Sequence, residues 1–467
     1  MRVERVGVVG AGTMGAGIAQ LACLGRFDTY LHDPDAGALR SGEERLRAAL
    51  LKGADRSMWS RAEAEAASAR LRAAGHVEDL AGCELVVEAA PEDLGLKRQL
   101  FAKLADVCGP DAVLATNTSS LSVTAIAAGI DHPGRVCGMH FFNPPALMRL
   151  VEVVAGDESS EDALATVEAV AREMGREPIR AADAIGFVAN RVARPFTLEA
   201  LRLLGERVAD HEQIDRIVRI GGGFRMGPFE LMDLVGVDVN FEVAKSFWEQ
   251  SFQEPRWQPH PIQARMVAAG RLGRKAGRGY YDYRHGPHRP EDSAPPEADP
   301  EAVIGYANPI QVDDRAFTAI NVESRSLGSL PPAGNVVGFV AMPDLGQAPL
   351  VELTRSEATS DAAAGAAERF MEARGKHVEW VGDAPGLVLG RILCQVINEA
   401  QFAVGQGIAT ADDVDIAMRL GFNWPRGPFE WAQAIGPERV VAILDGLRSE
   451  LGEERYRVAP SLRRAAI

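Results

Sequence analysis

The chain has 467 residues, 46% of them hydrophobic, and a formal net charge of −15. That length allows about three domains at roughly 150 residues each, and the composition is sufficient for large buried cores. The acidity argues against nucleic acid or an anionic membrane as a partner, and no apolar run reaches the roughly 18 residues that a membrane span needs.

Arg5-Val6-Gly7-Val8-Val9 reads as a short buried strand beginning within five residues of Met1, so no signal peptide is expected. The strand runs into Gly10-Ala11-Gly12-Thr13-Met14-Gly15 and then a helical run through Ile18, Ala19, Leu21 and Ala22. Tyr30-Leu31-His32-Asp33 follows as a second strand ending in an acid. A G-x-G-x-x-G motif alone is weak, but between a strand and a helix and ahead of an acid it is the dinucleotide fingerprint. Gly10 makes the tight turn, Gly12 admits the pyrophosphate and Gly15 lets helix and strand pack closely. Thr13 and Met14 open the helix whose free N–H groups face the phosphates. Asp33 is placed to accept the adenosine ribose 2′-hydroxyl. Pro34-Asp35-Ala36 offers no arginine for a 2′-phosphate, so NAD is expected over NADP.

Leu85 to Ala89 and Ala112 to Ala115 read as further strands, with a helix from Leu96 to Val107 between them. Gly138-Met139-His140-Phe141-Phe142-Asn143-Pro144 then ends an apolar run in a histidine and a turn, and Glu152 lies in the next apolar run, Leu150 to Val154. This spacing suggests an imidazole and a carboxylate on neighbouring strands. A carboxylate that accepts from one ring nitrogen fixes the tautomer and makes the other nitrogen a better base. The expected organisation is a doubly wound α/β, Rossmann-type domain over residues 1–182 and a helical domain over 183–284. A Pro-rich polar linker at 285–300, a weaker α/β segment at 301–382 and a second helical domain at 383–467 complete the chain. Cys23, Cys83, Cys108, Cys137 and Cys394 form no C-x-x-C pair and read as reduced thiols of a cytoplasmic protein. No metal site is expected.

The second half repeats the first at an offset of 200: Asp183-Ala184-Ile185-Gly186-Phe187 against Asp383-Ala384-Pro385-Gly386-Leu387, Gly227-Pro228-Phe229-Glu230 against Gly427-Pro428-Phe429-Glu430, and Glu152, Glu199 and Asp215 against Glu352, Glu399 and Asp415. Val340 stands where the first copy has His140, and Gly390 where it has Asn190. The second copy therefore reads as a degenerate packing unit rather than a second active site.

Taken together, Gly10 to Gly15, Val87 to Glu92, Lys97, Asn117-Thr118-Ser119-Ser120-Leu121, Gly138 to Pro144, Glu152, Gly186 to Arg191 and Met226 to Glu230 resemble the 3-hydroxyacyl-CoA dehydrogenase family, in its longer bacterial form. The resemblance implies oxidation of the (S)-3-hydroxyl of an acyl-CoA by NAD. It assigns His140 as general base, Glu152 as its orienting carboxylate, Ser119 as a hydrogen-bond partner of the substrate oxygen and Asn190 as the amide near the acyl group. Glu92, Lys97, Asn117, Asn143 and Lys275 match positions on the cofactor side. Several segments, among them Gly223 to Pro228, resemble a bacterial subgroup of phenylacetate breakdown that oxidises 3-hydroxyadipyl-CoA. A distal carboxylate would favour a cation, for which Arg149 and Arg225 are candidates. The family's proline before Gly-Phe is Ile185 here, and its helical hairpin after the second strand matches poorly, with Lys52 a loose candidate for CoA contact. Family members with one helical domain pair through it, so the second repeat is expected to act as an internal pseudo-dimer partner, with further homo-oligomerisation open. A dehydrogenase of free hydroxy or sugar acids (L-gulonate type) and a non-catalytic NAD-binding scaffold stay open as alternatives.

Overall fold

The structure, a computed structural model, describes residues 2–302 and 311–466; residues 303–310 of the expected second α/β segment lie outside these. The chain divides into two compact units: Met1–Asn190 with Gly407–Phe422, and Arg191–Gln406 with Asn423–Ile467. The five segments expected from sequence are thus regrouped, because each half of the duplication contributes to both units.

The first unit is built on β1 (Arg5–Val9), β2 (Asp28–His32), β3 (Leu71–Ala74), β4 (Leu85–Glu88), β5 (Val113–Thr116), β6 (Val136–Phe141), β7 (Leu150–Ala155) and β8 (Glu177–Ala182). Their order in the sheet is β3-β2-β1-β4-β5-β6-β7-β8. Neighbours run parallel except β6 and β7, which are antiparallel. Both faces are covered, so β1, β4 and β5 read as continuous Val/Leu runs rather than alternating ones. The strand order reverses between β1 and β4, which opens a crevice at their carboxyl ends. Three helices flank that crevice, α1 (Thr13–Leu24), α2 (Ala36–Asp55) and α4 (Leu94–Val107), and α3 (Arg61–Arg70) packs against α1 and α2. Asp35 caps α2 at Gly37 N and Ala38 N, Ser60 and Glu63 form a capping box on α3, and Asp93 caps α4 at Leu96 N. The helical hairpin that matched poorly by sequence is therefore present, with Trp59 Nε1 donating to Leu50 O at 2.8 Å across its turn.

The second unit contains a five-stranded sheet in the order β13-β12-β11-β10-β9, formed by β9 (Gln311–Asp313), β10 (Thr318–Asn321), β11 (Val336–Val340), β12 (Leu350–Thr354) and β13 (His377–Trp380). It repeats β6 to β8 at the 200-residue offset, and β11 and β12 are again antiparallel. The two halves also exchange helices. In the first unit Ala182 N donates to Ile408 O at 2.8 Å, leading into the helix Ala411–Gly421 beside β7 and β8. In the second unit Gly382 N donates to Val208 O at 2.6 Å, the same bond shifted by 200 in both partners.

A reciprocal ion network lies inside the second unit, where the helices Arg194–Gly205 and Leu389–Gly405 pack together. Arg191 Nε donates to Glu399 Oε1 at 2.8 Å, and Arg391 donates to Glu199, all four side chains being buried. Arg256 also donates to Glu399 Oε2 at 2.7 Å, and Tyr456 Oη donates to Glu199 Oε1 at 2.8 Å. Residue i meeting j while j′ meets i′ is the signature of a two-fold interface, here written within one chain.

The stretch expected as a free linker is attached at its first half. His288 and Arg289 both reach Glu230 Oε1, at 2.8 and 2.6 Å, and Arg219 holds Asp292 at 2.8 Å. Composition signalled the absence of regular structure but not these ion pairs.

Glu352 shows what the duplication kept. Its two oxygens accept Val388 N at 2.7 Å and Leu389 N at 3.0 Å, tying β12 to the start of the following helix. Complete burial pushes its carboxyl up to about 8, against the pull of those two N–H donors. An acid whose folded-state pKa lies above its unfolded one stabilises fully below the unfolded value and loses that contribution as pH rises through the folded value. The urea midpoint of the wild type minus that of Glu352→Gln is therefore expected to fall as pH rises from about 4.5 to about 8. A difference constant across that window would contradict the assignment.

Candidate active site

The crevice of the first unit holds a cavity of about 850 Å³ at the carboxyl ends of β1 and β2. Gly10 has φ +98°, and a Cβ there would stand 2.6 Å from Ala89 O. A Cβ on Gly15 would stand 1.7 Å from Gly10 O, so only glycine lets α1 start this close to the strand. A Cβ on Gly12 would meet nothing within 4 Å and would project into open space. No side chain caps α1 at Gly12, leaving its first N–H groups free for an anion. Thr13 and Met14 line the same cavity, as does Asp33, just past the end of β2. The carboxylate of Asp33 is oriented by Ala11 N at 2.9 Å and Asp35 N at 3.0 Å. These features fit a dinucleotide: an uncapped helix start for the pyrophosphate and a fixed acid at the ribose end.

A second cavity of about 340 Å³ shares Met14, Ala89 and Ala90 with the first, and His140, Ser119 and Asn190 line it. His140 and Glu152 are direct partners in the β6–β7 register, as their spacing predicted. Both are buried, and His140 Nδ1 lies 2.6 Å from Glu152 Oε2. A carboxylate accepts, so Nδ1 carries the proton and Nε2 is left as the basic nitrogen. The ring is held between Phe142 and Phe187, with centroids 4.7 and 5.8 Å away.

The other oxygen of Glu152 has separate work. Oε1 accepts Val188 N at 3.0 Å and Ala189 N at 2.8 Å, the same helix start that Glu352 holds in the second copy. In the second copy both carboxylate oxygens serve the backbone, and Val340 offers no donor. In the first copy one oxygen does that structural task and frees the other for the imidazole. The Ile185 departure leaves the backbone unchanged: Gly186 and Phe187 have φ +68° and +49°, and Gly386 and Leu387, after Pro385, have +69° and +45°.

Ser119 is exposed and Asn190 half-buried, and neither side chain has a hydrogen-bond partner among the described residues. Asn117 Oδ1 accepts Phe141 N at 2.8 Å, and it lines the smaller cavity with Asn143, Glu92 and Lys97. Glu92 and Lys97 are engaged with the protein itself. Glu92 accepts from Thr118 Oγ1 at 2.5 Å, from Ser119 N and from Ser120, and so shapes the loop that presents Ser119. Burial pushes its carboxyl up, but hydrogen bonds from Thr118 and the nearby Lys97 ammonium outweigh this and hold it below the usual range. Lys97 Nζ is buried against Glu88 Oε1 at 2.6 Å, and Glu88 Oε2 takes Thr116 Oγ1 at 2.7 Å. Lys275, expected beside the cofactor, lines neither cavity; it belongs to the second unit, where it pairs with Asp238 at 2.6 Å. Arg149 and Lys52 are exposed in the first unit and Arg225 in the second, and none lines either cavity.

Sequence reasoning missed Arg45 and Glu88. Arg45 lines the larger cavity from α2 and donates to Ala11 O at 3.2 Å. Its place twelve residues past Asp33 carries no local signal. The signal for Glu88 was present, an acid in an otherwise apolar strand opposite a lysine on the next helix.

Comparison with known proteins bears on the same residues. A family model described as 3-hydroxyacyl-CoA dehydrogenase, NAD binding domain, matches residues 5–184. The corresponding C-terminal domain model matches twice, at 186–283 and 386–466. The 3-hydroxyadipyl-CoA dehydrogenase of Escherichia coli K12 is 38% identical over 484 residues, covering 100% of this chain and 98% of that protein. The 3-hydroxybutyryl-CoA dehydrogenase of Mycobacterium tuberculosis H37Rv is 38% identical over 283 residues, 60% of this chain and 99% of that protein. A crystal structure of 3-hydroxybutyryl-CoA dehydrogenase from E. coli K12 superposes with a TM-score of 0.92 at 37% identity, covering 100% of this chain and 98% of that one.

Proposed function

The chain belongs to the 3-hydroxyacyl-CoA dehydrogenase family, and on that footing we propose that His140 is the general base that takes the proton from the 3-hydroxyl of an acyl-CoA thioester. The activity is that of an oxidoreductase on 3-hydroxyacyl-CoA, with NAD, when bound, supplying the hydride acceptor. Nε2 of His140 receives the hydroxyl proton as C3 becomes a ketone carbon, and Glu152 holds the tautomer and stabilises the imidazolium that results. The Ser119 hydroxyl hydrogen-bonds the substrate oxygen, and the Asn190 amide stabilises charge on the acyl carbonyl oxygen. Gly10, Gly12, Thr13, Met14 and Gly15 cradle the pyrophosphate and Asp33 takes the ribose, while Asn117 and Asn143 line the nicotinamide end. Glu92 and Lys97 hold that end in shape. The observation that carries this reading is the divided carboxylate of Glu152, with one oxygen on the helix start and one on His140.

The substrate we assign is 3-hydroxyadipyl-CoA, supported by the end-to-end match to a relative of that name, with Arg149 and Arg225 as candidates for the distal carboxylate. NADH formation on 3-hydroxybutyryl-CoA, 3-hydroxyadipyl-CoA and L-gulonate tests this. The dicarboxylyl thioester is expected to give the highest kcat/KM, and Arg149→Ala or Arg225→Ala to lower it selectively. Equal ranking of the two thioesters would remove the dicarboxylate preference, and activity confined to L-gulonate would remove the acyl-CoA reading.

Among the described residues no helix is long and apolar enough to cross a membrane. A cytoplasmic location belongs to this reading, supported by five buried free cysteines. So does the second repeat as an internal pseudo-dimer partner, supported by the reciprocal Arg191–Glu399 and Arg391–Glu199 pairs. Residues 1–182, 183–284, 301–382 and 383–467 are, on this view, the segments of the duplication.

A further inference from the structure

We propose that a basic cavity in the second unit, lined by none of the residues assigned above, binds a phosphate-bearing anion of the pyrophosphate or nucleoside diphosphate class. The cavity encloses about 450 Å³ and is lined by Arg207, Arg265, Arg271, His211 and Tyr280, a volume within the range of small-molecule sites. It lies beside the helix Pro261–Ala268, which carries Arg265. The three arginines are exposed and line one hollow of the surface. None of the three has an ion-pair or side-chain hydrogen-bond partner among the described residues.

The neighbouring carboxylates are already engaged. Glu206 is held by Arg391 at 2.6 Å, and Asp233 accepts Tyr280 N, Tyr281 N and Tyr283 Oη at 2.9–3.1 Å. Tyr280 lines the cavity, and its hydroxyl is buried with no hydrogen-bond partner among the described residues. Guanidinium forks match phosphate oxygens two at a time, which a single ammonium does not. Ile262 and Met266 complete the wall with apolar surface suited to a base or ribose.

The second copy supplies an internal comparison. At the 200-residue offset Gly407 and Ala411 replace Arg207 and His211, so the duplicated scaffold folds without these two groups; Arg464, the fifth residue of the helix Pro460–Ala465, is the counterpart of Arg265. Gly407 has φ +72°, and Arg207 holds φ +62° at the same turn. A left-handed position that glycine fills without strain carries a guanidinium only in the copy with the cavity.

The test is calorimetric titration of the full chain, saturated with NADH so that the dinucleotide crevice is filled, with pyrophosphate and separately with ADP at fixed ionic strength. One-to-one saturable binding is expected, weakened at least tenfold in Arg207→Gly and in Arg265→Ala. NADH affinity and dehydrogenase activity should stay within twofold of the wild type. Tighter binding of ADP than of pyrophosphate identifies a nucleotide, and equal binding identifies the phosphates alone; both support the site. Absence of saturable binding, or equal binding by the Arg207→Gly/Arg265→Ala/Arg271→Ala variant, overturns it. The readout is binding, so it stands apart from the assigned dehydrogenase activity.

Discussion

Replacing His140 by Ala is expected to lower kcat for NADH formation by a factor on the order of 100 to 10,000, the range that a positioned general base supplies. The NAD affinity should stay within about twofold, because Gly10, Gly12, Thr13 and Asp33 line the larger cavity and His140 lines only the smaller one. Fold stability should fall by about 1–3 kcal/mol, the cost of leaving Glu152 Oε2 buried without its donor, while Oε1 keeps its two backbone donors. Fluorescence titration with NADH beside steady-state kinetics separates these effects. A loss of NAD binding equal to the loss of rate would point to a collapsed crevice rather than a missing base.

Arg391→Ala is expected to destabilise the protein by about 3–5 kcal/mol, the cost of stranding a buried charge. Arg391 is fully buried, it holds Glu199 and Glu206, and Tyr456 Oη shares Glu199 with it. Removing the guanidinium leaves Glu199 buried with a phenol as its remaining partner. The paired change Arg391→Met with Glu199→Leu should cost less than the single substitution, because the charge that remains unpaired, Glu206, is the more exposed of the two carboxylates. Urea unfolding followed by circular dichroism measures both. A single variant as stable as the wild type would show that the reciprocal network does not hold the two helical copies together.

The parts of the site that were legible in the sequence are those fixed by local covalent spacing. A glycine fingerprint between a strand and a helix specifies its own backbone. A histidine and a glutamate twelve residues apart across a turn fall opposite each other once the two runs pair antiparallel. The duplication was visible by subtraction and reappears in the ion pairs at the same offset. What was not legible depends on contacts between distant segments. The exchange of helices between the halves, seen in Ala182 with Ile408 and Val208 with Gly382, leaves the hydrophobic pattern of each helix unchanged. The strand at Leu71–Ala74 has neither β-branched nor aromatic residues and forms because β2 offers an open edge beside it. The attachment of His288, Arg289 and Asp292 converts a stretch of linker composition into part of the helical unit.

In the proposed mechanism His140 and Glu152 act as one device, with a single carboxylate oxygen given to catalysis. A double-mutant cycle on kcat, with His140→Ala, Glu152→Gln and the pair together, measures that coupling most directly. Strong non-additivity is expected: the double variant should be no slower than His140→Ala alone, because Glu152 reaches the substrate proton only through the imidazole. Losses that multiply across the two positions would contradict it and would give Glu152 a catalytic role independent of His140.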